Sequence, residues 1–216
     1  MSKQDFETLK VVLIGESGVG KTSLIVQYVN NSFNAFNQPT IGGSFCNKTI
    51  VCDDNKIVKL EIWDTAGQER YHSIANIFYQ NAQVALLVYD IAVEESFNKI
   101  VNYWAEEVRK GIKENALIAI IGNKNDLCVE DPNNEKVKED EARDFAKSIN
   151  ALYFKSSAKN HEMVRDIFET VTKKYFGYKK AKTEEDDNNN TDLPKKKDEK
   201  QIKLEAPKGS KKKKCC

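Results

Sequence analysis

Apolar and polar residues are arranged along the chain in two patterns that alternate. Four short apolar runs have the length and composition of buried strands: TLKVVLIG, VALLVYDI, LIAIIG and ALYFK. Between and after them lie stretches that repeat apolar residues at helical spacing: LIVQYV, FNKIVNYWAEEV and MVRDIFETVTKKYF. Strands that alternate with helices in this way predict an α/β fold with helices on both faces of a parallel sheet.

One segment lacks a helix between its strands. SFCNKTIVC and KIVKLEIWD flank Asp53-Asp54-Asn55, which predicts a hairpin. The whole pattern then gives a mostly parallel sheet of about six strands with one antiparallel edge strand, and ligands are expected outside the carboxyl ends of the strands. The predicted helical core comprises Phe97, Ile100, Val101, Trp104 and Val108 in one helix, and Val164, Ile167, Phe168, Val171 and Tyr175 in another.

The apolar periodicity stops near Tyr178, and the chain becomes rich in Lys, Asn and acidic residues. From there it carries 13 Lys and 8 acidic residues, so this tail has a charge of +5. We therefore predict a folded domain over 1–177 and a disordered tail over 178–216. The net charge of the whole chain is only +1, which gives no global field of the kind that attracts nucleic acid.

No apolar run is long enough to span a membrane, and the first residues lack the apolar core of a signal peptide, so we expect a cytosolic chain. The five cysteines, at positions 46, 52, 128, 215 and 216, have neither CxxC nor Cys/His spacing. The sequence therefore indicates neither a disulfide scaffold nor a zinc site.

The stretch GESGVGKT, Gly15 to Thr22, lies between a predicted strand and a predicted helix. This is the GxxxxGK[ST] pattern in the context that it requires, in which backbone N–H groups surround a phosphate chain at a helix N-terminus. Lys21 would reach the outer phosphates, and the Thr22 hydroxyl would ligate Mg²⁺. The predicted phosphate contacts are Ser17, Gly18, Val19, Gly20, Lys21, Thr22 and Ser23.

Two further stretches follow predicted strands. In NKND, Asn123 to Asp126, a carboxylate can accept from two adjacent N–H donors, as guanine offers and adenine does not, so guanine is favoured. In WDTAGQER, Asp64 would support the Mg²⁺ shell and the Gly67 N–H would approach a γ-phosphate. Gln68 would orient an attacking water, which makes Gln68, Lys21 and Gly67 the candidate catalytic residues.

The sequence resembles the small Ras-like GTPases, and among them the Rab family, over about residues 8 to 177. The motifs GESGVGKT, PTIGGSF, WDTAGQER, NKND and SAK stand in the family's order. The resemblance implies a P-loop GTPase fold in which Thr40 contacts both Mg²⁺ and the γ-phosphate and Phe33 flanks the base. The guanine-binding residues that it implies are Phe33, Asn123, Lys124, Asp126, Ser157, Ala158 and Lys159, and the implied effector surface comprises Ile41, Phe45, Trp63 and Phe78.

The stretches YHSIANIFY and VYDIAVEESF are most similar to the Rab branch of early endocytic membranes. Three departures from the usual Rab pattern concern effector choice rather than nucleotide chemistry. Phe78 stands where Tyr is usual, Gln80-Asn81 replaces Arg-Gly, and KSSAK replaces ETSAK.

The resemblance implies a switch that hydrolyses GTP to GDP and regulates endocytic vesicle traffic. The first arginine in the chain is Arg70, so we predict slow intrinsic hydrolysis and acceleration by an activating protein that donates an arginine. A P-loop kinase or ATPase would share GESGVGKT but not NKND with SAK. A scaffold that holds GTP without useful turnover would share everything except a working Gln68.

The chain ends in KKKKCC, and Rab proteins commonly end in paired cysteines. The resemblance implies geranylgeranyl groups on Cys215 and Cys216, and two lipid chains anchor a protein stably where one does not. The implied partners are an exchange factor, GTP-dependent effectors, Rab escort protein, GDP dissociation inhibitor and membrane lipids. We expect a monomer on the cytoplasmic face of endosomal membranes, with a cytosolic pool.

Overall fold

The structure is a computed structural model that describes residues 6–36, 38–52, 56–67 and 77–189. Its centre is a six-stranded sheet in the order β2-β3-β1-β4-β5-β6. The strands are β1 Glu7–Ile14, β2 Gly43–Val51, β3 Ile57–Thr65, β4 Val84–Asp90, β5 Leu117–Asn123 and β6 Leu152–Lys155. Only the pairing of β2 with β3 is antiparallel, and β2 lies at the edge. The predicted fold class is confirmed, while the predicted turn at 53–55 lies outside the described residues.

Helices cover both faces of this sheet. They are α1 Lys21–Asn30, a composite α2, α3 Asn125–Glu130, α4 Glu139–Ser148 and α5 His161–Asn189. The composite α2 consists of an α-helical segment Glu94–Lys99, a π-helical turn Ile100–Trp104 and an α-helical segment Ala105–Gly111. A short 3₁₀ turn, Pro132–Asn134, follows α3.

The apolar periodicity did not predict α4. Its sequence, EDEARDFAKS, is mostly charged, and it buries only Ala142 and Ala146. Two small side chains are enough to pack a helix closely on a sheet, yet they give almost no apolar signal in the sequence.

The core consists of one apolar layer on each face of the sheet. Successive residues of β1 point to opposite faces, so Leu13 belongs to the layer under α1 and α5, and Ile14 to the layer under α2 and α4. The predicted core residues of α2 and α5 are buried to within 2% exposure, except Val101 and Tyr175, which are partly buried.

By its internal contacts the chain divides after Lys180 into two units. Helix α5 nevertheless continues through the predicted domain boundary at 177 and ends at Asn189. Residues 179–185 of this extension are mostly Lys, Ala and Glu, which favour helix intrinsically. Residues 190–216, including most of the predicted tail, lie outside the described part of the chain. Within the described ranges, no helix combines the length and apolar character needed to cross a bilayer.

Candidate functional site

A cavity of about 430 Å³ lies at the carboxyl ends of the central strands. Five segments meet there: the β1–α1 loop, the segment before β2, the end of β3, the end of β5 and the β6–α5 loop. The lining residues are Ser17, Gly18, Gly20, Lys21, Thr22, Ser23, Phe33, Asn34, Ala35, Gln38, Pro39, Thr40, Thr65, Gly67, Asn123, Lys124, Asp126, Leu127, Ala158 and Lys159. The position is the one expected for ligands of a parallel α/β sheet.

The β1–α1 loop forms one wall of the cavity. Gly20 has a left-handed backbone, with φ 97°, and a Cβ there would lie 2.4 Å from the Asn123 side-chain nitrogen. Helix α1 starts directly after it, with no side-chain cap and no acidic residue in its first turn. The first N–H groups of α1 are therefore left for an anion.

Lys21 is the cation at this wall, and it is only 5% exposed. Its Nζ donates to the carbonyl oxygens of Gly15 and Glu16, at 2.6 Å and 2.8 Å. Burial lowers the pKa of Lys21 to about 8, although the carboxylates of Asp64 and Glu16 act in the opposite direction. A buried ammonium whose charge is costly gains strongly from a negatively charged ligand.

Three oxygen-bearing side chains meet beside Lys21. The Thr22 hydroxyl donates to Asp64 Oδ2 at 2.6 Å, and its Oγ1 lies 2.7 Å from Thr40 Oγ1. The Asp64 side chain is 2% exposed, and its Oδ1 has no hydrogen-bond partner among the described residues. Burial raises the pKa of this carboxyl. A carboxylate and two hydroxyls form the hard oxygen donor set that Mg²⁺ prefers, so these residues fit the ion that the sequence implies.

Asn123, at the end of β5, joins two loops of the cavity. Its Nδ2 donates to the carbonyl oxygen of Val19 at 2.8 Å, and its Oδ1 accepts from the backbone N–H of Ala158 at 3.1 Å. The side chain is 1% exposed. Because both bonds are buried, Asn123 fixes the distance between the β1–α1 loop and the β6–α5 loop.

Asp126 lies on the opposite wall, in the first turn of α3. Its Oδ1 accepts from the Ser157 hydroxyl at 2.6 Å, and its Oδ2 pairs with Lys159 Nζ at 2.7 Å. Partial burial opposes the charge, but the hydrogen bonds from Lys159 and Ser157 outweigh it and hold the pKa of Asp126 below its usual value. The carboxylate is thus ionised and oriented before any ligand binds.

Lys124, two residues before Asp126 in the NKND stretch, has a left-handed backbone with φ 66°. Its Nζ pairs with Asp90 Oδ2 at 2.7 Å, across the end of β4. Phe33 is 40% exposed and lies at the mouth of the cavity. An exposed ring at an open cavity offers a flat apolar surface to a planar ligand.

Gly67 packs directly against the β1–α1 loop. A Cβ at this position would lie 2.3 Å from the backbone carbon of Glu16 and 2.4 Å from the Ser17 nitrogen. Only glycine can bring its N–H this close to the loop. Gln68, the residue predicted to orient water, lies outside the described residues.

The predicted effector surface forms a continuous aromatic patch outside the cavity. The rings of Phe45 and Trp63 have centroids 4.9 Å apart, and those of Trp63 and Phe78 are 6.0 Å apart. Phe45 and Trp63 are direct partners in the β2–β3 register. Ile41, near this patch in sequence, is 81% exposed.

Most of the predicted nucleotide-site residues line one cavity. Three others do not line it themselves but contact or support residues that do. Val19 is buried in the core and offers only its backbone, Ser157 holds Asp126, and Asp64 holds Thr22. Six lining residues were not predicted: Asn34, Ala35, Gln38, Pro39, Thr65 and Leu127. Pro39 and Thr65 lie within the quoted motifs PTIGGSF and WDTAGQER, which could have indicated them. The other four carry no motif signal, and only their position near motif residues could have indicated them. Cys215 and Cys216 lie outside the described residues.

Comparison with known proteins gives consistent results. A model of the Ras family matches residues 10–176. GTP-binding protein YPT53 of Saccharomyces cerevisiae is 44% identical over 169 residues, which cover 77% of this chain and 76% of that protein. GTP-binding protein ypt5 of Schizosaccharomyces pombe is 42% identical over 165 residues, covering 76% of each chain. Ras-related protein Rab-5A of Dictyostelium discoideum is 41% identical over 165 residues, covering 76% of this chain and 79% of that protein.

Proposed function

The chain belongs to the Ras family of small GTPases and, within it, to the Rab GTPases of the early-endocytic branch, and from this membership we propose how its own residues perform the GTPase cycle. The enzyme hydrolyses GTP to GDP and phosphate, and it regulates endocytic vesicle traffic. The main support for this residue assignment is the pair of hydrogen bonds of Asn123. They hold the β1–α1 loop, which would bind phosphate, and the β6–α5 loop, which would bind the base, around one cavity.

The base is recognised by the β5 and β6 ends. Asp126 accepts from the two adjacent N–H donors of guanine, and Ala158, whose N–H donates to Asn123 Oδ1, lines the same cavity. Lys159 now pairs with Asp126 Oδ2, so its ammonium moves aside when guanine takes that oxygen. Adenine has no pair of adjacent N–H donors for Asp126, so this recognition selects guanine nucleotides over ATP.

The phosphates are held by the β1–α1 loop. The uncapped N-terminus of α1 and the backbone of residues 17–23 donate to the phosphate oxygens, and Lys21 contacts the outer two groups. The charge of this buried ammonium is then compensated by the ligand.

Thr22, Thr40 and Asp64 would hold Mg²⁺, Thr22 and Thr40 directly and Asp64 through the surrounding shell. The ion supplies neutralisation of the charge that develops on the phosphate oxygens. Thr40 belongs to the segment before β2 and Gly67 to the segment after β3. Since both contact the γ-phosphate region, loss of that phosphate releases two loops together, and the aromatic patch beside them reports which nucleotide is bound.

Hydrolysis without a partner is slow, because no arginine is found among the described residues that line the cavity. The described arginines are Arg109, Arg143 and Arg165, and none of them lines the cavity. Each contacts a helix or a neighbouring loop on the outer surface of the domain. An activating protein therefore supplies the arginine in trans, and an exchange factor opens the cavity to release GDP.

We further propose that the enzyme acts on the cytoplasmic face of endosomal membranes. Geranylgeranyl groups on Cys215 and Cys216 would anchor it there, with Lys211 to Lys214 adding attraction to anionic lipids. Rab escort protein would present the chain for lipid attachment, and GDP dissociation inhibitor would maintain the cytosolic pool.

Single-turnover hydrolysis tests the assignment. The protein is loaded with labelled GTP or ATP, and phosphate release is followed with Mg²⁺, with a chelator, and with an activating domain that supplies an arginine. We expect slow, Mg²⁺-dependent turnover of GTP alone, accelerated on the order of 10³-fold or more by the activating domain. Thr22→Ala serves as the matched variant that loses the Mg²⁺ dependence. Equal turnover of ATP, or fast turnover without a partner, would contradict the proposal.

A further inference from the structure

Helix α2 contains a π-helical turn, Ile100–Trp104, between two α-helical segments. Such turns are rare; they occur mostly as single-turn bulges inside α-helices, and frequently at functional sites. This one ends at Trp104, whose side chain is 2% exposed. The indole Nε1–H of Trp104 donates to Glu16 Oε1 at 3.1 Å, although the two residues are 88 positions apart in the chain.

Glu16 is the second residue of the β1–α1 loop, here called the phosphate loop, since β1 ends at Ile14. Its carbonyl oxygen accepts from Lys21 Nζ at 2.8 Å. Its backbone also forms the surface on which Gly67 packs, since a Cβ on Gly67 would lie 2.3 Å from the Glu16 carbon. The orientation of the cavity's lysine and the seating of Gly67 thus depend on where Glu16 is held.

We propose that Trp104 and Glu16 form a positioning pair that fixes the phosphate loop from outside the nucleotide cavity. Neither residue lines that cavity, so the pair acts through Lys21 and Gly67 rather than on the nucleotide itself. A hydrogen bond to a carboxylate is stronger than one between neutral groups, and this one is sheltered by the burial of the indole. Helix α2 contributes no motif residue to the cavity. Through this pair it nevertheless supports the phosphate loop. This inference rests on the proposed nucleotide function of the loop.

A purely structural role for Trp104 makes different predictions. Its ring packs against Tyr103, with centroids 4.8 Å apart, and belongs to the core layer under α2. If only this packing mattered, a phenylalanine would replace most of it, and changing Glu16 would have no similar effect. If the hydrogen bond matters, removing either partner gives the same defect in nucleotide binding.

The test is a double-mutant cycle with Trp104→Phe, Glu16→Ala and the double variant in the full chain. The dissociation rate of fluorescent GDP and the single-turnover hydrolysis rate are measured for each, together with the denaturant midpoint. We expect each single change to accelerate GDP dissociation about tenfold, and the double variant to be no faster than the faster single variant. Phe97→Leu, a core change in the same helix that contacts Tyr89 and Phe145 instead, is the control for lost packing.

Three results would overturn the pairing: unchanged GDP dissociation in the single variants, single effects that multiply in the double variant, or an equal acceleration in the Phe97→Leu control. Glu16 is only partly buried, so Glu16→Ala carries the test even where Trp104→Phe fails to fold. Failure of the wild-type protein to bind fluorescent GDP is a separate result, because it would reject the proposed nucleotide function instead.

Discussion

Asn123 supports a quantitative prediction, because its two hydrogen bonds are both buried. Replacing it by alanine leaves the Val19 carbonyl and the Ala158 N–H without their partner. Each buried group left unpaired costs about 1 to 3 kcal/mol, so the two together cost about 2 to 6 kcal/mol. We expect Asn123→Ala to lower the free energy of unfolding of the nucleotide-free protein by at least about 2 kcal/mol.

The same change should weaken nucleotide binding, because the two loops that Asn123 joins both contact the ligand. A loss of about 2 kcal/mol corresponds to an affinity for GDP lowered about 30-fold.

Urea unfolding and titration with fluorescent GDP measure the two effects. Asn125→Ala is the matched control, since it lies in the same NKND stretch and shares none of the hydrogen bonds of Asn123. If Asn123→Ala unfolds at the wild-type midpoint, or binds GDP as tightly as the Asn125→Ala control, the bridge does not hold the cavity together.

Three further predictions concern other parts of the site and the tail. Gly67→Ala places a Cβ against the Glu16 backbone and should reduce single-turnover GTP hydrolysis about 10²-fold, whereas GDP affinity should stay near wild type. Unimpaired hydrolysis would show that the Gly67 N–H does not need to approach the γ-phosphate closely. The pKa of Asp126 is lowered in the folded protein, so the stability that its charge contributes is present above its unfolded pKa of about 4 and is lost as the pH falls below that value. Acid titration of stability should therefore show wild type and Asp126→Asn converging below about pH 4, and parallel curves would contradict this. Replacing Cys215 and Cys216 by serine should leave GTP binding unchanged and move the protein from the membrane to the cytosolic fraction on cell fractionation, and retention on membranes would argue against lipid anchoring.

Much of this architecture is readable from the sequence, because its signals are local. The strand runs, the hairpin and the GESGVGKT loop each carry their pattern within about ten residues, and the six strands and the loop lie where those patterns indicate. Thr40 and Phe33 carry no such pattern, and only the resemblance to Rab proteins indicated them.

Other features depend on contacts between distant residues, which no local pattern records. The Asn123 bridge spans 104 positions to Val19, and the Trp104 bond to Glu16 spans 88. The apolar helical spacing predicts Trp104 as a core residue, and the structure confirms this. Its indole N–H also donates to Glu16, a contact that periodicity cannot predict. The π turn leaves no sequence signal either, since helical spacing is kept on both sides of it.

Nucleotide competition tests the central claim most directly. Fluorescent GDP bound to the wild-type protein and to Asp126→Asn is displaced by GTP, ATP or XTP, whose xanthine base carries a carbonyl where guanine carries its exocyclic N–H₂. The account predicts that GTP alone displaces GDP efficiently from the wild type, and that Asp126→Asn shifts the preference from GTP toward XTP, because an amide can donate to that carbonyl. Displacement by ATP as effective as by GTP, or an unchanged guanine preference in Asp126→Asn, would contradict the assignment of this cavity to guanine nucleotides.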